Sequence, residues 1–224
     1  MIPVMDAVPG TRRHTRHVIV ELADSIRARD QVTYEHCRRV GIYVNRLARF
    51  MGWPRAAARE LALAGLVHDL GKTWVHNEVL LKPAALSQSE RGLIERHPVM
   101  AAQLLWAFDM PDGILDAVLS HHERWDGRGY PNGLAGAAIP LGARLLSVAD
   151  VFDVITTPRP YKAAMSVTEA RARLLESAGT AFDPEVVAAF TRLLDARPDF
   201  LLASQARPVE PESGDPWAAH DRGE

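Results

Sequence analysis

His68-Asp69-Leu70-Gly71-Lys72 decides how this chain is read. The five residues put an imidazole, a carboxylate and an ammonium where an apolar helical run, Glu60 to Val67, comes to its end. Gly71 is placed to let the backbone leave that helix with positive φ. A His followed at once by an Asp offers a borderline nitrogen ligand beside a hard oxygen ligand, a pairing that suits a transition metal better than calcium or magnesium alone. The same residues also suit an ordinary helix C-terminus, where His complements the macrodipole and Lys the exposed carbonyls. The stretch alone leaves both readings open, and the rest of the chain has to choose.

The 224 residues are enough for one large domain with a real core. Hydrophobic residues at 47% and charged ones at 24% indicate a soluble globular class. A formal net charge of -2 argues against general electrostatic capture of DNA or RNA, while leaving room for a small anion met by local cations. The single cysteine, Cys37, excludes an internal disulfide and disfavours a thiolate metal site. No apolar run approaches the roughly 18 residues of a membrane span, and no signal-peptide core is present, so a cytoplasmic protein is expected.

Apolar periodicity predicts helices over Thr11–Arg29, Thr33–Met51 and Arg55–Asp69, and none of the chain reads as strand. The first of these could pack on the body, join a partner or form a dimer seam; His14 and His17 read as solvated. In the second, stepping back four residues from Val40 lands on His36, which puts this imidazole on the core-facing stripe. An irregular segment, Trp74–Leu86, is followed by capping-box spacing at Ser87-Gln88-Ser89-Glu90, a helix to about Glu95, and His97-Pro98 opening another through Phe108. A helix capped by Asp112 ends at His121-His122, and Asp126–Pro140 is a long glycine-rich loop of the kind that usually carries function. Leu141–Thr156 is an apolar helix with Asp150 and Asp153 three apart on one face. Capping residues Ser166 and Asp183 start the last two helices. The expected fold is all-α, with an N-terminal lead-in and helix over 1–29, a main domain over 30–204 and a disordered tail over 205–224.

His36, His68, Asp69, His97, His121, His122 and Asp150 each stand at a helix end or on a core face. Singly, each has a plain structural explanation. Together they include five of the nine histidines, and helical bundles build metal centres from such facing side chains. Five imidazoles and two carboxylates are too many for one ion and suit two, with Asp69 as the natural bridge.

The ordered series His68-Asp69-Leu70-Gly71-Lys72, Leu81-Lys82-Pro83, His97-Pro98, His121-His122-Glu123-Arg124-Trp125-Asp126-Gly127-Arg128-Gly129-Tyr130-Pro131, Ala149-Asp150-Val151-Phe152-Asp153, Arg159-Pro160-Tyr161-Lys162 and Phe182-Asp183-Pro184 resembles the HD-GYP subgroup of the HD phosphohydrolase superfamily. The resemblance spans roughly residues 30–195. It implies an HD-domain helical bundle with a helical extension, and a phosphodiesterase hydrolysing cyclic di-GMP to pGpG and often onward to GMP. It further implies that His36, His68, Asp69 and Asp150 hold one metal, and that His97, His121 and His122, with Asp69 bridging, hold the other. Iron or manganese is the usual pair; zinc, nickel or cobalt also match the mixed N/O donors. Two such ions about 3.5–4 Å apart can hold a hydroxide for in-line attack on phosphorus.

Around that centre Lys72 is expected to donate to a phosphoryl or departing ribose oxygen, and Asp153 to orient Lys72 or a metal-bound water. Arg159 and Lys162 are expected to meet phosphate and guanine edges, and Tyr130 to stack on a guanine. Where some relatives carry a third-metal Glu this chain has Val32, so two metals are expected; His76 stands where relatives have proline. The alternatives are a phosphohydrolase for another nucleotide such as cyclic GMP-AMP, and a non-catalytic cyclic-dinucleotide receptor or docking module. Diguanylate cyclase or other signalling proteins, and a second copy of the chain, are candidate partners.

Overall fold

The computed structural model describes residues 9–80, 82, 84–158 and 163–197. In chain order the helices are α1 (Pro9–Arg29), α2 (Gln31–Phe50), α3 (Arg55–Val67), a 3-10 turn (Leu70–Trp74), α4 (Asn77–Leu80), α5 (Gln88–Ile94), α6 (His97–Ala107), α7 (Asp112–Ser120), a 3-10 turn (Gly136–Ala138), α8 (Leu141–Thr156), α9 (Val167–Glu176) and α10 (Pro184–Ala196). The described residues contain isolated bridges but no strand, so the all-α expectation is met. No described helix is long and apolar enough to cross a membrane.

Local chemistry sets most boundaries. Ser87 and Ser166 each cap with a full reciprocal box through Glu90 and Glu169. Asp183 caps α10 by accepting from Glu185 N and Val186 N, with Pro184 in the first turn. Asp112 does not cap α7; Pro111 holds the cap position and Asp112 lies within the first turn, where its charge favours the helix N-terminus. The irregular segment after Trp74 contains the single-turn α4.

Two close contacts fix the arrangement. A Cβ on Gly65 of α3 would lie 2.7 Å from Gly41 Cα of α2, so these helices cross backbone to backbone. Tyr43, Phe152 and Phe190 meet edge to face, at 5.6 Å and 4.9 Å between centroids, and join α2, α8 and α10. Of the three packings left open for the first helix, the structure shows it on the body: Val18, Ile19, Ala23 and Ile26 belong to the common core. His14 and His17 are exposed, as expected.

Gly71 departs from its expected role. It is not among the glycines with positive φ, and the chain continues from α3 into the 3-10 turn. Its necessity is spatial: a Cβ there would sit 2.0 Å from the carbonyl oxygen of His97.

Candidate metal centre

The histidines at helix ends reconcile the two readings of the central stretch. His68 follows the last residue of α3 and His121 the last of α7, while His97 stands three residues beyond the end of α5 and opens α6. Each ring directs Nδ1 at a carbonyl three residues back: His68 to Gly65 O at 2.8 Å, His97 to Ile94 O at 2.7 Å and His121 to Val118 O at 2.7 Å. A carbonyl only accepts, so Nδ1 carries a proton in each ring and Nε2 is the nitrogen left to act as a ligand. The capping contact therefore orients the ligand atom.

Those nitrogens converge. His36, His68 and Asp69 form one group of possible metal donors, and His97, His121 and His122 a second. Asp69 lies between them: Oδ2 is 3.6 Å from His68 Nε2 and 3.9 Å from His36 Nε2, while Oδ1 is 3.4 Å from His97 Nε2. Asp150 joins the first group, with Oδ1 3.0 Å from His36 Nε2 and 3.8 Å from His68 Nε2. His68 Nε2 and Asp69 Oδ1 are fully buried yet have no hydrogen-bond partner. His97 Nε2 and His121 Nε2 face each other at 3.4 Å. Buried acceptors aimed at one another without a donor are unfavourable unless a cation lies between them. The donor set thus fits divalent metal.

Electrostatics agree. Burial pushes His97 down to about 3 and His122 down to about 4, and holds His121 well below the ordinary imidazole value, so these rings are neutral. For Asp69 and Asp150 burial acts to raise the carboxyl pKa. Lys72 and the imidazoles around Asp69, and His36 with His68 around Asp150, outweigh it, and both acids stay well below the usual carboxylate range. Burial likewise lowers His36, but the hydrogen bonds its ring donates to Asp150 and Asp153 reverse this and lift it to about 9. A cation at Nε2 would take the place of that proton.

Lys72 and Asp153 each contact the donor set, through Asp69 and His36 respectively. Lys72 Nζ donates to Asp69 Oδ2 at 2.7 Å. Asp153 does not reach Lys72; its Oδ2 lies 2.7 Å from His36 Nδ1, and Arg39 grips both its oxygens, at 2.7 Å and 2.9 Å. Arg39 was not singled out from sequence, although its position three residues after His36, on the same helical face, is the available signal.

The glycine-rich loop is held rigidly. Buried Glu123 accepts from Asn132 N at 2.7 Å and Leu134 N at 3.0 Å, and Arg124 pairs with Asp126 through two contacts. Sequence reading also missed Glu123, a charge whose partners are backbone amides nine and eleven residues away. Tyr130 packs its ring 4.8 Å from the His122 ring and is half-buried at the rim of the donor cluster. His76 lies exposed, outside both donor groups. Arg159 and Lys162 lie outside the described residues, as do residues 205–224. Cys37 is buried and its thiol pKa is raised by burial, in keeping with a packing role.

A family model described as HD domain matches residues 21–186. The chain is 41% identical over 174 residues to a cyclic di-GMP phosphodiesterase of Pseudomonas aeruginosa, covering 77% of this chain and 42% of that protein. It is 39% identical over 180 residues to the cyclic di-GMP phosphodiesterase response regulator RpfG of Xanthomonas campestris, covering 79% and 47%. A 3'3'-cGAMP-specific phosphodiesterase of Vibrio cholerae is 32% identical over 197 residues, covering 88% and 43%. The chain thus spans less than half the length of these relatives. Among solved structures, a cyclic GMP-AMP specific phosphodiesterase of V. cholerae superposes with a TM-score of 0.65 at 21% identity, over 86% of this chain and 51% of that one. The HD domain of the L. monocytogenes phosphodiesterase PgpH gives 0.57 at 16% identity, over 81% and 98%. With its buried His68-Asp69 pair at the meeting point of two donor groups, the chain belongs to the HD domain family, in the HD-GYP branch of it.

Proposed function

We propose that this protein is a phosphodiesterase that opens a cyclic dinucleotide, with cyclic di-GMP as substrate, and that two divalent cations occupy the paired donor groups. One observation carries the reading: Asp69 sets one oxygen against each group of imidazoles, Oδ2 beside His68 and Oδ1 beside His97. His36, His68, Asp69 and Asp150 would hold one ion; His97, His121 and His122, with Asp69, the other. When bound, such ions activate water near neutral pH and neutralise charge on phosphoryl oxygens. Iron or manganese fits these neutral nitrogens and hard oxygens, with zinc, nickel and cobalt as competitors.

The chain's own residues supply the rest. Lys72 keeps its proton: burial acts to lower its pKa, but attraction to Asp69 outweighs it and raises the pKa above the ordinary lysine value. It can therefore donate to a non-bridging phosphoryl oxygen or to the departing ribose oxygen. Asp153 holds the tautomer of His36 and Arg39 holds Asp153. Tyr130, backed by His122, offers its outer face to a base. Arg159 and Lys162 are assigned to phosphate and guanine contacts on the motif they share with relatives. All seven donors are present, which disfavours a receptor without turnover. Relatives named for cyclic di-GMP match at 35–41% identity and those named for 3'3'-cGAMP at 32–38%, so the assay has to include both.

The test is product chromatography with protein purified anaerobically and loaded with manganese or iron. Conversion of cyclic di-GMP to pGpG supports the proposal. Intact cyclic di-GMP beside hydrolysed 3'3'-cGAMP would shift the substrate, and both intact under every metal would leave a binding module.

A further inference from the structure

The outer side of the turn that carries Lys72 is held by a residue from outside the donor set. Arg29, in the last turn of α1, reaches three acceptors beyond Lys72: the carbonyl of Thr73, the carbonyl of Val75 at 2.7 Å and Asn77 Oδ1 at 3.1 Å. The two carbonyls lie at the C-terminal end of the Leu70–Trp74 turn, where a guanidinium satisfies otherwise open acceptors. The turn's inner side rests on the metal-site backbone, with Gly71 packed against His97 O. The turn is therefore clasped between α1 and the start of α6.

Within it, Lys72 has little freedom. Lys72 N donates to Asp69 O at 2.9 Å, Val75 N donates to Lys72 O at 3.0 Å, and Thr73 Oγ1 donates to Leu70 O at 2.7 Å. A small cavity at this junction is lined by Arg29 and Thr33 on one side and by Asp69, Lys72 and Thr73 on the other. A tilt of α1 is thus passed by a rigid, forked side chain into the turn from which Lys72 reaches Asp69.

We infer that Arg29 is a positioning residue, through which the seating of α1 sets where the Lys72 ammonium lies against Asp69. The inference rests on the proposed phosphodiesterase reading for its kinetic consequence, but not for its structural one. Arg29 touches none of the metal donors, so its loss acts on Lys72 placement and leaves the ions in place. Misplacement of a group remote from the substitution is enough to slow chemistry by an order of magnitude.

The experiment compares the full chain with its Arg29→Ala and Arg29→Lys variants, each loaded with manganese, by hydrogen exchange, metal content and kinetics with cyclic di-GMP. Arg29→Ala is expected to speed exchange across 72–77 while α2 and α3 stay protected. It is expected to lower kcat roughly tenfold with KM and metal content unchanged. Arg29→Lys is expected to recover part of both losses, because one ammonium can serve one or two of the three acceptors. Unchanged exchange at 72–77, or unchanged kcat in an active enzyme, overturns the inference. So does exchange that rises throughout α1, α2 and α3, since Arg29 would then be a plain structural latch. If the wild type hydrolyses no cyclic dinucleotide, the functional proposal fails on its own, and the exchange comparison still decides whether Arg29 holds the Lys72 turn.

Discussion

Nε2 of His97 and Nε2 of His121 face each other at 3.4 Å in the core, and each ring's other nitrogen is already committed to a backbone carbonyl. Two lone pairs held this way are unfavourable alone and complementary to a cation. The arrangement persists because it is built into helix ends: each imidazole satisfies an orphan carbonyl of a last turn, and the same contact aims its free nitrogen.

Asp153 anchors His36 through Nδ1, so Asp153→Asn removes the carboxylate that fixes the ligand's orientation. Metal affinity at that half of the centre is expected to fall about 10- to 100-fold. Competition titration with a chelator of known affinity measures it, and an unchanged affinity would remove Asp153 from this role.

Arg39→Ala leaves Asp153, which is only 1% exposed, with His36 as its one charged neighbour of those described. Breaking a buried pair costs about 3–5 kcal/mol, and the retained His36 contact puts the expected loss near the lower end, about 3 kcal/mol. Urea unfolding of metal-free protein reads this directly.

Gly71→Ala forces a methyl into the His97 carbonyl, a contact neither backbone can avoid without moving. A loss of about 1–3 kcal/mol or more is expected, with weaker metal binding by His97. Gly92→Ala is the control, since nothing lies within 4 Å of its added carbon. It is expected to be neutral or slightly stabilising.

The metal-free protein is expected to be most stable near the ordinary imidazole pKa of about 6.5. Below it, the unfolded chain takes up protons that His97, His121 and His122 refuse until pH reaches their lowered values, about 3 and 4 for His97 and His122, so stability falls as pH falls. Above it, His36 keeps a proton that the unfolded chain has released, and its contribution is lost as pH rises through about 9. Thermal unfolding across pH 4–10 after chelation checks both limbs; a profile rising steadily through the neutral range would contradict the assignment.

Sequence made the helices and the caps at Ser87, Ser166 and Asp183 legible because those depend on local spacing. It nominated candidate donors from their places at helix ends and on core faces, while Asp112 does not take the cap position expected of it. The capping boxes at Ser87 and Ser166 and the stripe bearing His36 need no tertiary information. Contacts between distant segments were not legible. Gly71 reads as a turn glycine until His97, 26 positions later, is seen against it, and Asp153 reads as orienting Lys72 or a metal-bound water, with its contacts to His36 and Arg39 not legible. The bridging posture of Asp69 was expected from the donor count, but the assignment of one oxygen to each group needed coordinates.

Metal stoichiometry of the reconstituted chain and two single variants tests the central claim most directly. Elemental analysis after anaerobic loading with manganese is expected to give two ions per wild-type chain. His36→Ala and His97→Ala are each expected to retain one, at opposite halves of the centre, and Asp69→Asn to weaken both. One ion or none per wild-type chain, or Asp69→Asn with both ions held as tightly as before, would contradict a paired centre bridged by Asp69.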